Sequence, residues 1–139
     1  MAEAAKHDDP FDLGRFVEAQ TGVYDRACDE LHDGRKQSHW MWFIFPQHVD
    51  LGRSPTAKKY GLSGVEEARA YLDHVLLGDR LIECCDAILA HLLNGARAED
   101  ILGDIDALKL RSSMEIFLAA EDHEYRFAEI FDLAGGETG

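Results

Sequence analysis

Residues 78–95 read Gly-Asp-Arg-Leu-Ile-Glu-Cys-Cys-Asp-Ala-Ile-Leu-Ala-His-Leu-Leu-Asn-Gly. Leu81, Ile82, Cys85, Ile88, Leu89 and Leu92 recur at steps of three and four, which places them on one face of a helix. Asn94 and Gly95 both tolerate left-handed backbone and end the run. The same period continues on either side. Ser63 followed by Glu66 reads as a capping box, opening a helix with Val65, Ala68, Tyr71, Leu72 and Val75 inward. Gly78 then separates this helix from the apolar one. Farther upstream, Pro10 opens a segment in which Phe11, Leu13, Phe16 and Val17 share a face. Thr21 is the predicted N-cap of a helix with Val23, Tyr24, Ala27, Cys28 and Leu31, ended at Gly34. Downstream, a short turn over residues 98–102 precedes Gly103. Asp104 caps a helix to about Ala120, with Leu108, Met114, Phe117 and Leu118 available for the core, and a last helix spans about 122–133. Period-2 alternation is almost absent. The expectation is an all-α fold: residues 1–139 as one compact domain of six to eight short helices around an aromatic central segment, with residues 1–8 and 135–139 as frayed tails.

At 139 residues the chain has the length of one domain, and its 46% hydrophobic and 29% charged residues are ordinary for a soluble protein. The charge is not ordinary. Fourteen Lys and Arg face 27 Asp and Glu, a net charge of −13. Such a surface repels nucleic acid and acidic membranes. The first residues lack the apolar core of a secretory signal, and no apolar run approaches the roughly 20 residues of a membrane span. Three cysteines, Cys28 and the adjacent Cys84 and Cys85, lack metal-ligand spacing and read as buried thiols of a reduced, cytoplasmic protein. No metal site and no cofactor are expected. His39 and His48 stand nine apart with no third ligand nearby.

Resolved along the chain, the charge singles out one segment. Residues 34–65 hold Arg35, Lys36, Arg53, Lys58 and Lys59 against Asp50 alone, a net +4 inside an otherwise acidic chain. The same segment holds Trp40, Trp42, Phe43, Phe45 and Tyr60. Its centre, Ser-His-Trp-Met-Trp-Phe-Ile-Phe-Pro-Gln at 38–47, reads as a core helix capped by Ser38 and ended by Pro46, one face of which could line a pocket. Gly52, Arg53, Ser54 and Pro55 read as a capped helix start with a guanidinium beside it, a setting for an anion. In the later helix, Lys109 and Ser113 share a face, while Ser112 and Ser113 weaken the helix where they stand.

Several of these stretches resemble one family. They are Asp9-Pro10-Phe11-Asp12-Leu13 with Arg15-Phe16 and Ala19-Gln20; the run 38–47; Gly52-Arg53-Ser54-Pro55-Thr56-Ala57 with Tyr60; residues 67–72; Leu77-Gly78 with Arg80-Leu81; and residues 108–114. Together they are similar to the DUF1810 family, small bacterial proteins of unknown function. That resemblance implies a single compact all-α domain and no particular reaction. The chain departs from the family at Val75, where proline is usual after His74, and in its short C-terminal end.

The expected function is binding of a small planar anionic metabolite, a nucleotide or ADP-ribose derivative. Trp40, Trp42, Gln47 and Tyr60 would meet its ring, and Arg53, Ser54, Lys109, Arg111 and Ser113 its phosphate and hydroxyl groups. His39 is the candidate general acid if an N-glycosidic bond is cleaved, by a loose likeness to small helical N-glycosidases that process ADP-ribose. The alternative is a protein interaction module that uses the cationic aromatic segment as a patch, without catalysis.

Overall fold

The computed structural model describes residues 9–135. Among them stand nine α-helices and no strand: α1 (Gly14–Gln20), α2 (Tyr24–Asp33), α3 (Met41–Ile44), α4 (Pro55–Lys59), α5 (Val65–Asp73), α6 (Leu77–Leu93), α7 (Ala98–Leu102), α8 (Asp104–Ala120) and α9 (Tyr125–Ala134). A 3₁₀ turn, Val49–Leu51, and an isolated parallel bridge between His48 and Leu62 lie between α3 and α5. The 17-residue α6 and α8 are the two long elements. α9 packs on both of them, α5 packs on both from another side, α2 lies along α6, and α7 abuts α8.

The stripe read from residues 78–95 is the centre of the fold. Leu81, Cys84, Cys85, Ile88, Leu89 and Leu92 are all buried, and Ile82 packs against the same cluster from a partly exposed position. Four rings join the layers. Phe16 meets Tyr71 edge-on at 5.1 Å, Tyr71 lies 5.4 Å from Phe117, and Phe117 lies 5.7 Å from Phe127. The chain of rings runs from α1 through α5 and α8 to α9, at separations where aromatic pairs add about 0.5–1.5 kcal/mol beyond area burial. The Tyr71 hydroxyl is satisfied by the Gln20 amide at 3.2 Å, which also donates to the Phe43 carbonyl at 2.8 Å.

Local signals were partly redirected by tertiary contacts. Thr21 does not cap α2: its hydroxyl donates to the Val17 carbonyl at the end of α1, and Val23 takes the cap position. Ser63 lies one residue before the N-cap Gly64, and its partner is Glu67 rather than Glu66. Gly78 does not separate helices. It stands in the first turn of α6, where a Cβ would lie 2.1 Å from the Leu72 carbonyl oxygen, so glycine permits the close seating of α5 on α6. Residues 98–102 form a helix rather than a turn, and Gly103 rather than Asp104 precedes α8 as its N-cap. Val75 and Leu108, read as inward, are 87% and 69% exposed. Val75 falls in the joint between α5 and α6, outside either helix.

The aromatic run is core, but only residues 41–44 are helical. Ser38 does not cap it, because its hydroxyl is held by Glu30. Trp40, Met41, Ile44 and Phe45 are buried, while Trp42 and Phe43 remain partly exposed. Pro46 closes the helix early, since the residue before a proline is pushed out of the α region.

Candidate functional site

The segment leading into the aromatic run has no regular structure, and a single buried acid holds it. Glu30 Oε1 accepts from the Gln37 N–H at 2.8 Å, the Ser38 N–H at 3.1 Å and the Trp40 indole N–H at 2.9 Å; Oε2 accepts from the Ser38 hydroxyl at 2.7 Å. Burial alone would push this carboxyl up. The donors, led by the Gln37 N–H, outweigh it and hold the pKa at about 2. The Lys36 N–H adds a backbone bond to the Ile101 carbonyl at 2.8 Å, fastening the segment to α7.

So held, residues 36–42 form one wall of a groove of about 460 Å³. Lys36, His39 and Trp42 face Leu102, Gly103, Asp104, Ile105 and Asp106 at the start of α8. Asp106 bridges two cations: Oδ2 lies 2.9 Å from Lys36 Nζ and Oδ1 lies 3.6 Å from Lys109 Nζ. Each ammonium also sits over an indole, Lys36 at 5.2 Å from the Trp40 ring and Lys109 at 5.0 Å from the Trp42 ring. Such stacking favours a cation that is partly withdrawn from water. The N-cap of α8 is Gly103, which has no side chain to cover the first-turn N–H groups. Asp104 and Asp106 balance Lys36 and Lys109, so the groove is locally neutral within an acidic protein.

The candidate residues divide between several places. Trp42 and His39 line the groove, and Lys109 stands beside it against Trp42 and Asp106. Trp40 is closed to solvent and its N–H is committed to Glu30, so it supports the groove wall from behind. Ser113 is fully buried, and its hydroxyl has no partner among the described residues. Arg111 points to another side of α8, because residues two apart on a helix do not share a face. Its guanidinium lies 4.0 Å from the Phe131 ring and against Gly135, bracing the end of α9.

Arg53, Ser54 and Tyr60 belong to the 48–62 segment and do not line the groove. The Ser54 hydroxyl caps α4, accepting from the Ala57 N–H at 3.1 Å. Arg53 is exposed and makes no side-chain hydrogen bond among the described residues. Tyr60 packs on Phe16 and Phe43 at 5.9 and 5.4 Å. The Gln47 carbonyl accepts from the Leu62 N–H at 2.8 Å, and its side chain is half-buried.

Sequence reasoning missed Glu30, Lys36 and Asp106. The i,i+3 spacing of Asp106 and Lys109 was a usable signal, but the pairing of Asp106 with Lys36 spans the chain. Among the described residues, no group of three or more His, Cys, Asp or Glu is placed to hold a metal ion. Nor is any helix long and apolar enough to cross a membrane.

Comparison with known proteins agrees with this architecture. The crystal structure of the conserved hypothetical protein Rv1873 from Mycobacterium tuberculosis superimposes with a TM-score of 0.87 at 49% identity, covering 92% of this chain and 90% of that one. No curated protein matches. Residues 10–137 match the family described as "Protein of unknown function (DUF1810)". The chain belongs to the DUF1810 family.

Proposed function

We propose that the protein binds a small planar anionic metabolite, of the nucleotide or ADP-ribose class, in the groove between residues 36–42 and the start of α8. The observation that carries this reading is the Asp106 bridge. Two lysines, each stacked on an indole, share one carboxylate at the mouth of an uncapped helix. Asp106 thereby occupies the place an incoming phosphate would take. A ligand phosphate exchanges with it, gaining both ammonium groups and the first-turn N–H groups of α8. The exposed part of Trp42 offers a surface for the ring, and His39 lies on the same wall as a proton donor for cleavage of an N-glycosidic bond.

The test is thermal unfolding against a panel of nucleotides and ADP-ribose. A member at a hundred times its Kd stabilises by about 2.7 kcal/mol, and that shift falls in Trp42→Ala and Lys109→Ala. No stabilisation by any member would overturn the reading. A second reading, a protein interaction module, is favoured by Ile105 and Leu108, 70% and 69% exposed and one turn apart beside the groove. Light scattering of the ligand-free protein across a salt series separates the two, since association through this apolar patch persists as salt rises and a groove for a small ligand leaves a monomer.

A further inference from the structure

α2 and α6 lie side by side in a register set at both ends. At one end the Tyr24 hydroxyl donates to the Glu83 carboxylate, and the Arg80 guanidinium lies 4.5 Å from the Tyr24 ring centre. At the other end His91 Nε2 is 2.9 Å from both the Leu31 and the His32 carbonyl oxygens. Between these anchors, one turn beyond Tyr24 on α2, falls Cys28; one residue beyond Glu83 on α6 stands Cys84. Cys28 and Cys84 therefore face the seam between the two helices from either side, near enough for each to shift the other's ionisation. Their buried neighbours, Ala27 and Ala87, are small, which lets the two helices approach closely.

We propose that Cys28 and Cys84 form a reactive thiol site that takes a small hydroperoxide as oxidant and closes to an intramolecular disulfide. The two sulfurs are unequal. Cys28 is partly exposed and Cys84 is buried, so the oxidant reaches Cys28 first. A hydrogen bond from the Cys84 thiol holds Cys28 down at about 6 against the opposing effect of burial; Tyr24 and the nearby His32 add to this, and Glu83 opposes it. The same bond, with burial, pushes Cys84 up and keeps it a thiol. Cys85 is fully buried and raised by burial, and its charged neighbours are Asp86, Glu124 and Arg126, away from α2. The partial exposure of Cys28 admits a small oxidant such as hydrogen peroxide.

The chemistry balances in two steps. The Cys28 thiolate attacks the terminal oxygen of the hydroperoxide, the O–O bond breaks, and the alcohol (water, for hydrogen peroxide) leaves with a proton; Cys28 becomes a sulfenic acid. The Cys84 sulfur then attacks Cys28, the S–O bond breaks, and the Cys84 proton leaves with the hydroxyl as water. Two thiols are oxidised to one disulfide, and one peroxide is reduced. An external dithiol restores the pair.

Hydrogen peroxide treatment of the full chain, followed by thiol counting and peptide mapping without reductant, tests this. Two of the three thiols are lost, the cross-link joins Cys28 to Cys84 within one chain, and dithiothreitol reverses it. Cys85→Ala leaves the cross-link intact. Cys84→Ala abolishes it and leaves Cys28 as a sulfenic acid that dimedone traps. Iodoacetamide labelling of Cys28 across pH has its midpoint near 6, against about 8.5 for an ordinary thiol. The proposal is overturned by three surviving thiols at doses that oxidise free cysteine, by a cross-link to Cys85, or by a bond between chains. If Cys84→Ala does not fold, the wild-type map and the labelling midpoint still decide it.

Discussion

Two buried glutamates hold the two ends of the cationic segment, and they do so differently. Glu30 grips residues 37–40 with four neutral donors, while its one cationic neighbour, Arg26, is exposed and stands 3.9 Å from Oε2. Glu67 grips Ser63 in partnership with a cation. Its Oε1 accepts from the Ser63 N–H and hydroxyl, both at 2.9 Å, and its Oε2 pairs with Arg15 at 2.9 Å. Arg15 also donates to the carbonyls of Phe11, Asp12, Lys59 and Gly61, tying the N-terminal segment to the loop before α5. An acidic protein thus uses two of its acids inside. One serves as an anchor held mainly by neutral donors behind the groove, and the other as half of a partly buried ion pair away from it. The lesson is that replacing the charge while keeping the shape has different consequences at the two. At Glu30 an amide oxygen can still accept, and the Ser38 hydroxyl can reverse its role. At Glu67 an amide nitrogen would face a guanidinium.

Removing the anchor outright has the largest expected effect. Glu30→Ala leaves four donors unpaired and costs about 3–4 kcal/mol in urea unfolding, with the environment of Trp40 exposed to quencher. Glu67→Gln comes next at about 2–3 kcal/mol, because it breaks a partly buried ion pair and leaves Arg15 uncompensated. A carboxyl held below its unfolded value stabilises the fold above that value, and the contribution fades as pH falls. Wild-type stability therefore declines from pH about 4.5 towards about 2, and the part due to Glu30 is missing in Glu30→Gln. Glu30→Gln keeps an acceptor but loses the charge that the donors stabilise, and costs about 3 kcal/mol at neutral pH. A cost for Glu30→Gln that does not shrink as pH falls towards 2 would break this account of Glu30. Smallest of all, Arg53→Ala, at an exposed residue with no side-chain hydrogen bond among the described residues, changes stability by no more than about 0.5 kcal/mol.

What was legible in the sequence follows the range of the forces involved. The stripe of α6 could be read because helical periodicity is local, and its glycine and asparagine stop signals lie beside it. Ser54 and Pro55 could be read as a cap for the same reason. Ser38 and Thr21 looked like caps and were not, since each found another acceptor, Glu30 in one case and the preceding helix in the other. The concentration of aromatic and cationic residues at 34–65 was visible. Its division was not: Trp42 and Lys36 face the groove, Trp40 backs it, and Arg53 and Tyr60 stand elsewhere. That division depends on Glu30 and Asp106, which lie outside the segment and whose charges merged into the net −13. Cys28 read as one position in an amphipathic stripe, and only the register of α2 on α6 brings a second thiol to it.

The central claim is that Asp106 stands in for the anion of a ligand, and calorimetry of ADP-ribose and nucleoside diphosphates against wild type and Asp106→Asn tests it most directly. Removing the carboxylate frees Lys36 and Lys109, so the variant should bind about tenfold more tightly, about 1.4 kcal/mol, to whichever member the wild type binds. Weaker or unchanged binding by Asp106→Asn would contradict the account.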